Sequence, residues 1–188
     1  MEGARKPVGR WTVKRFACAS AVFFGTCLIA FALCFWVQPW GAVVTFHRRM
    51  NFERLRWVSV APLIDAHYPN RPAPFVKPEQ YSDRWTAWLV VPKSTNYTFT
   101  VSNDDGVRLY LDRRRVIDNW RAQGFGADSR STNVWLSAGR HALTLTHFND
   151  TGPARLRLEW SGGPIAPHTI VGGRHLLKRL PKAREGVE

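Results

Sequence analysis

The chain has 188 residues, which is enough for one compact domain with appendages but not for two full domains. It carries 27 Lys and Arg residues against 14 Asp and Glu residues, a net charge of +13. This surplus lies on both sides of a long uncharged segment, so it indicates solvated basic surfaces rather than a nucleic-acid-binding face.

The uncharged segment covers residues 16–37 and follows a basic segment at residues 1–15. As a helix rising about 1.5 Å per residue it would reach about 33 Å, enough for a hydrocarbon core of roughly 30 Å. Trp11 and Trp36 lie near its two ends, where interfacial aromatic residues are common. We predict a transmembrane signal-anchor helix at 16–37, with the N-terminus cytoplasmic and the remainder periplasmic or extracellular, most simply at a bacterial inner membrane.

Two features of this segment concern its possible cleavage and its packing in the membrane. Ala30-Phe31-Ala32 matches the small-x-small pattern of a cleavage site, so a cleaved signal peptide is the alternative, although the apolar run continues to residue 37. The small residues Ala17, Ala21 and Gly25 are spaced by four, a pattern suited to close helix packing against other membrane subunits.

Beyond the segment, the character of the chain changes twice. Residues 38–56 are partly amphipathic and predict a membrane-proximal neck, and residues 57–80 are rich in proline, which favours extended and loop structure. Later segments such as 97–101 and 156–160 alternate apolar and polar residues, and turn signals separate them at regular intervals. The pattern predicts an all-β antiparallel sandwich or barrel over residues 57–165, followed by a basic C-terminal tail at 166–188.

Residues 97–120 (YTFTVSNDDGVRLYLDRRRVIDNW) and 134–160 (VWLSAGRHALTLTHFNDTGPARLRLEW) resemble the protective-antigen fourteen-kilodalton domain family. The upstream stretch YSDRWTAWLVVP is similar to the first strands of that family. The resemblance implies a β-sandwich or barrel without a catalytic centre, appended in other proteins to glycosidases, glycosyltransferases, toxins and flocculin-type adhesins. In the adhesins it binds sugars through calcium held by an Asp-Asp pair joined by a cis peptide, whereas other members serve as packing or docking pieces.

Asp104 and Asp105 are the corresponding pair in this chain, so the resemblance implies possible calcium as a cofactor. Calcium takes about six to eight oxygen ligands, and we expect Asn149 and Asp150 to supply others, with Asp128 a weaker candidate. The alternative is that Asp-Asp-Gly forms an ordinary turn in which the carboxylates accept hydrogen bonds from backbone N–H groups.

Two further features are candidates for glycan or partner contact. Arg113, Arg114 and Arg115 form a basic hairpin tip, which is either a soluble turn or a contact to an acidic partner or phospholipid headgroups. Trp120 is a candidate for stacking on a sugar, although tryptophan on a strand is more often part of a core.

The sequence lacks the common hydrolase, metalloprotease and nucleotide-binding motifs, and its three cysteines all lie within residues 16–37. His141 and His147 stand about 20 Å apart on one strand, too far to share a metal. We therefore predict a non-enzymatic protein. It is either an accessory or structural subunit whose β-domain docks on a larger membrane assembly, or a membrane-tethered module that binds a cell-envelope glycan through calcium.

Overall fold

Twelve β-strands and one short 3-10 helix make up residues 39–180, the part of the chain that the computed structural model describes. All strand pairs are antiparallel. In chain order the elements are β1 (Ala42–Arg48), β2 (Glu53–Ala61), β3 (Asp65–Tyr68), β4 (Tyr81–Val91), β5 (Thr95–Asp104), β6 (Gly106–Leu111), β7 (Arg114–Asn119), β8 (Arg130–Leu136), β9 (Gly139–Asn149), β10 (Ala154–Gly162), β11 (Ile165–Ile170), the 3-10 helix (Gly173–His175) and β12 (Leu176–Lys178).

The strands form two sheets. A seven-stranded sheet has the order β2-β1-β4-β9-β6-β7, with β12 also paired to β4, and a five-stranded sheet has the order β11-β10-β5-β8, with β3 also paired to β10. The chain crosses from one sheet to the other between β4 and β5 and back between β5 and β6, so the apolar faces of both sheets meet in one core. The prediction of an all-β antiparallel sandwich is confirmed.

The core follows the alternation seen in the sequence. Tyr97, Phe99 and Val101 of β5 are fully buried, whereas the threonines between them are partly exposed. Trp160 of β10 stacks on Tyr97 and Phe99, with ring centroids 5.3 and 6.1 Å apart. Each such side chain contributes about 1.5–3 kcal/mol on burial, and this period-two pattern therefore fixes which face of β5 points inward.

The outer face of the seven-stranded sheet is covered as well, which the alternation did not predict. Seven consecutive residues of β4, 81–87, are buried. Arg84 lies over the ring of Phe52 at 4.9 Å, and Phe52 in the β1–β2 connection stacks on Trp120 at 6.0 Å. Farther along the strand the Thr86 hydroxyl donates to the backbone oxygen of Arg179 at 2.7 Å, so chain segments from both ends of the domain close over β4.

The domain boundaries predicted from the sequence are wrong on both sides. Residues 38–56 were predicted to be a neck, but β1 is an inner strand of the seven-stranded sheet, and Val44 and Phe46 belong to the core. Residues 166–188 were predicted to be a tail, but β11 extends to residue 170 and β12 pairs with β4. Both segments are short, and their role is decided by the neighbouring strand rather than by their own pattern.

The predicted transmembrane helix at 16–37, with Ala17, Ala21 and Gly25, lies outside the described residues, and so does the tail beyond residue 180. Within residues 39–180 there is no helix of sufficient length and apolarity to cross a bilayer.

The strand register defines two ends of the sandwich. Tyr81 pairs with Asn149, and Gly106 pairs with Phe148; the turn at 104–106 and the connections at 49–52, 120–129 and 150–153 lie here, and we call this the Asp–Asp end. Val91 pairs with Gly139 at the other end of the same strands. The turns at 92–94, 112–113, 137–138 and 163–164 lie there, and we call it the Val91 end.

Candidate functional site

The predicted Asp-Asp pair lies where β5 leaves one sheet and β6 begins the other. The peptide bond between Asp104 and Asp105 is cis. The Asp105 side chain is buried, and its two carboxylate oxygens accept hydrogen bonds from the backbone N–H groups of Gln123 at 2.9 Å and Asp150 at 2.8 Å. Asp105 therefore ties together the 120–129 and 150–153 connections, which agrees with the turn interpretation of this sequence.

Asp104 has a different environment from its neighbour. Burial raises the pKa of Asp104, and the charge of Asp105 raises it further, while the Phe125 backbone and His147 act in the opposite direction. Two carboxylates thus lie side by side, and the Asp104 carboxylate is the more accessible one. A cation at Asp104 would relieve this repulsion.

Two buried asparagines flank the pair, Asn103 on β5 and Asn149 at the end of β9. The Asn149 amide group donates to the backbone oxygens of Pro78 at 3.1 Å and Gly152 at 3.0 Å, and the Asn103 amide group donates to the backbone oxygen of Asp105. The Oδ1 atoms of both asparagines are buried and have no hydrogen-bond partner within the described residues. Unpaired buried oxygen atoms are costly, and oxygen is the ligand that calcium takes from proteins.

The structure thus brings Asp104, Asp105, Asn149 and Asp150 to one end of the sandwich, as the sequence analysis expected. Asp128 does not join them, because its carboxylate pairs with Arg121 and, at 2.7 Å, with Arg130. No group of three or more His, Cys, Asp or Glu side chains suited to a metal occurs within residues 39–180. Calcium at this end would therefore need amide and backbone oxygens or water to complete its coordination shell.

A buried ion pair beneath the site was missed by the sequence analysis. Asp83 on β4 and His147 on β9 are both fully buried, and Asp83 Oδ2 lies 2.9 Å from His147 Nδ1. The other ring nitrogen, Nε2, lies 2.8 Å from the backbone oxygen of Asp104. Both nitrogens face oxygen atoms, an arrangement that favours a doubly protonated ring donating to Asp83 and to the Asp104 carbonyl.

The electrostatics of His147 follow from this geometry. Burial alone lowers the pKa of His147, but the charge of Asp83, the hydrogen bond with it and the Asp104 carbonyl together raise the pKa above its usual 6.5. The alternation Leu143, Leu145, His147 is the sequence signal for this residue, because it places a histidine on the core face, where it requires a partner.

The predicted glycan-contact residues do not form one surface. Trp120 lies at the Asp–Asp end, packed between Phe52 and Phe148 with Arg108 4.7 Å above its ring. Its faces are occupied by these neighbours, so it is a packing residue of the outer layer. The hairpin tip with Arg113, Arg114 and Arg115 lies at the Val91 end, and Arg115 pairs with Asp118 at 3.0 Å.

Comparison with known proteins agrees with this fold. The PA14 domain family matches residues 57–170. The chain belongs to the PA14 domain family. This confirms the resemblance found in the sequence, and the strands outside 57–170 extend the matched region at both ends.

The PA14 domain of this chain is similar to parts of larger proteins. It is 31% identical over 118 residues to the anti-sigma-I factor RsgI3 of Acetivibrio thermocellus, a match that covers 62% of this chain and 18% of that protein. It also resembles the solved structure of an anti-sigma factor domain-containing protein from Clostridium clariflavum, with a TM-score of 0.69 and 31% identity over 77% of this chain and 49% of that one. This chain therefore corresponds to half or less of those relatives.

A third solved structure, the PA14 sugar-binding domain from an RTX adhesin, superposes with a TM-score of 0.62 and 16% identity, covering 76% of this chain and 100% of that one. At this identity the likeness shows the fold alone. The two relatives are named as anti-sigma factor proteins and not as enzymes, in line with the prediction of a non-enzymatic chain.

Proposed function

We propose that this chain is a membrane-anchored, non-catalytic recognition protein whose PA14 domain binds a cell-envelope carbohydrate through calcium at the Asp–Asp end. The observation that carries the proposal is the pair of buried, unpartnered Oδ1 atoms of Asn103 and Asn149 beside two adjacent carboxylates. Within residues 39–180 no ion pair engages the Asp104 side chain, and a calcium ion would supply a positive partner there.

The residues present fit calcium by their chemistry. Asp104 offers a carboxylate. The asparagines offer neutral oxygens, which are buried without the desolvation cost of a full charge. When bound, calcium would offer open coordination positions to neighbouring sugar hydroxyls. The 120–129 connection would form one wall of this site, because Gln123 is bonded to Asp105 and the Phe125 backbone lies against Asp104.

The test is a calcium titration of the full chain in detergent. Calorimetry measures the heat of binding, and thermal unfolding measures the change in Tm. A ligand at about a hundred times its dissociation constant stabilises the folded state by about 2.7 kcal/mol. For a domain of this size that raises Tm by about 5–10 °C. We expect Asp104→Asn to abolish this shift and calcium-dependent retention on cell-envelope glycans.

Asp118→Asn is the matched control, because Asp118 is an exposed acid on β7 engaged with Arg108 and Arg115. It removes the same charge and should leave the calcium response unchanged. A wild-type protein whose Tm and heat signal do not respond to millimolar calcium would refute the calcium-dependent function.

A second candidate is an accessory role in which the domain docks on a larger membrane assembly. The relatives named as anti-sigma factors favour a regulatory setting. A separate surface supports docking: an apolar cavity of about 260 Å³ between β1, β2 and the 69–76 connection, with Trp57 in its wall and the exposed Phe75 6.1 Å from Trp57.

Gentle extraction from native membranes, followed by sizing and identification of co-migrating proteins, tests this second candidate. We expect stoichiometric co-migration that Phe75→Ser weakens and that Trp135→Ser, on another exposed surface, leaves intact. Migration of the wild-type chain by itself would refute the accessory role.

A further inference from the structure

The buried pair of Asp83 and His147 also bonds to Asp104, and this bond links the two sheets of the sandwich. Asp83 and His147 lie opposite each other on β4 and β9, neighbouring strands of the seven-stranded sheet. Asp104 is the last residue of β5, in the five-stranded sheet, and its backbone oxygen lies 2.8 Å from His147 Nε2. A carbonyl oxygen can only accept a hydrogen bond, so Nε2 is the donor. The His147 side chain therefore bridges the sheets where the chain crosses between them.

The oxygen atoms proposed for calcium come from both sides of this crossing. Asn103 and Asp104 end β5, whereas Asn149 ends β9, two residues beyond His147. Residues two apart on a strand lie on the same face, so His147 and Asn149 point to the same side of β9. The hydrogen bond from His147 thus fixes Asp104 of one sheet relative to Asn149 of the other.

Asp83 fixes the orientation of the His147 ring. Its Oδ2 atom lies 2.9 Å from His147 Nδ1, and its Oδ1 atom accepts a hydrogen bond from the Trp85 indole at 2.6 Å. Asp83 and His147 are fully buried, so neither side chain can rotate without leaving a buried polar atom unpaired. A continuous set of hydrogen bonds therefore runs from Trp85 in the core through Asp83 and His147 to Asp104.

Stability alone is a weak reason for a buried ion pair at this position. Removing two charges from water is costly, and well-packed apolar residues in place of such a pair often give a fold that is equally stable. Polar groups that hold a metal ligand from behind have a different effect, because their loss typically lowers metal affinity about 10–100-fold. The feature that apolar residues could not reproduce here is the directed hydrogen bond to the Asp104 carbonyl.

We infer that His147, oriented by Asp83, is a positioning residue for calcium at the Asp–Asp end. Its Nε2–H group holds the Asp104 carbonyl and thereby keeps the Asp104 carboxylate at a fixed separation from the Asn149 oxygen. The inference rests on the proposed calcium-dependent function and deepens it, because it assigns a role in binding to two residues buried beneath the site.

Two double variants that differ by one hydrogen-bond donor provide the test. In Asp83→Asn with His147→Gln, neutral side chains replace the ion pair, and the glutamine amide can still donate to the Asp104 carbonyl. In Asp83→Asn with His147→Leu, that donor is absent. Both variants remove the two charges together, so neither leaves a buried charge without its partner. Calorimetric titration of the full chain in detergent, at a temperature where circular dichroism shows each variant folded, gives the calcium dissociation constant.

We expect the variant with His147→Gln to bind calcium nearly as tightly as the wild type, and the variant with His147→Leu to bind it about 10–100-fold more weakly. Arg179→Met is the matched control for lost stability. The Arg179 guanidinium is buried and donates to the Leu143 oxygen, away from the Asp–Asp end, so its loss should leave the calcium affinity unchanged. Equal dissociation constants in the two double variants, or an equal loss of affinity in Arg179→Met, would overturn the inference.

Nuclear magnetic resonance of the wild type decides the case in which the leucine variant does not fold. In a chain labelled with nitrogen-15 at histidine and held at constant pH, addition of calcium should shift the ring signals of His147. The signals of His175, which packs on Trp160 and bonds to the Val90 oxygen, should not move.

The two levels of the proposal fail in different ways. A His147 signal that saturating calcium leaves in place would overturn the positioning role alone. A wild-type chain that shows no heat of calcium binding and no change in Tm would refute the proposed function, and the positioning role would fall with it.

Discussion

Replacing Asp83 by Asn tests the buried ion pair beneath the Asp–Asp end. Asp83 accepts hydrogen bonds from the Trp85 indole at 2.6 Å and from His147 at 2.9 Å, and both members of the pair are fully buried. The asparagine keeps one acceptor oxygen for two donors and removes the charge that holds the His147 proton. Truncating one partner of a buried pair costs about 3–5 kcal/mol, and we expect about 3 kcal/mol because His147 can lose its proton.

The assay is thermal unfolding of the full chain in detergent, and near-ultraviolet circular dichroism is the signal that monitors it. In a domain of this size 1 kcal/mol corresponds to about 2–4 °C, so we expect Asp83→Asn to lower Tm by about 6–12 °C. The exposed Asp118→Asn should change Tm by no more than about 2 °C.

The same pair predicts a pH dependence with a definite sign. The pKa of folded His147 lies above its usual 6.5, so the native state binds a proton that the unfolded state has released. This contribution is fully present below about pH 6.5 and is lost as the pH rises through the folded pKa. Stability should therefore fall with pH above 6.5 in the wild type and fall less in Asp83→Asn. A loss of Tm below about 2 °C, or an identical pH profile in both proteins, would refute the ion pair.

Two further substitutions test the packing of the outer layer and of the Asp–Asp turn. Gly106→Ala should cost about 1–3 kcal/mol, because a Cβ at this position overlaps the Phe148 ring, whereas Gly124→Ala faces open space and should be neutral by urea unfolding. Arg179→Met should cost about 2–4 kcal/mol, because the buried guanidinium donates to the Leu143 oxygen at 2.9 Å; an unchanged denaturation midpoint would show that the C-terminal segment is dispensable for the fold.

Much of the fold could be predicted from local pattern. The alternation at 97–101 and 156–160 placed β5 and β10 correctly, because a half-buried strand records its inner face at every second residue. The sequence of β4 shows no such alternation, because both of its faces are buried: Phe52 and Arg179, from distant parts of the chain, cover its outer side. β1 and β12 were not predicted for the same reason: each pairs with β4, which lies about 40 and 90 residues away along the sequence.

The candidate site was predicted in part. The Asp-Asp-Gly turn and the Asn149-Asp150 turn are visible as turn chemistry, and the structure places them together at one end. Their relation to Asp83 and His147 was not visible, because the pair joins β4 to β9 across 64 residues. Nor did the sequence separate Trp120 from the Arg113-Arg114 tip, six or seven residues apart along the chain but at opposite ends of the sandwich.

By itself the sequence determined that the chain carries an all-β domain, where most of its strands run, and that a two-carboxylate turn interrupts them. These features follow from the alternation of apolar and polar residues and from residues that favour turns. Both are local patterns, which neighbouring residues suffice to encode. Only the tertiary structure decided what surrounds each polar group: which carboxylate is bound by backbone N–H groups, which histidine lies against a buried carboxylate, and which asparagine oxygens are buried beside them. Burial and charge depend on chain segments that the sequence keeps far apart, so they are settled only when the two sheets meet.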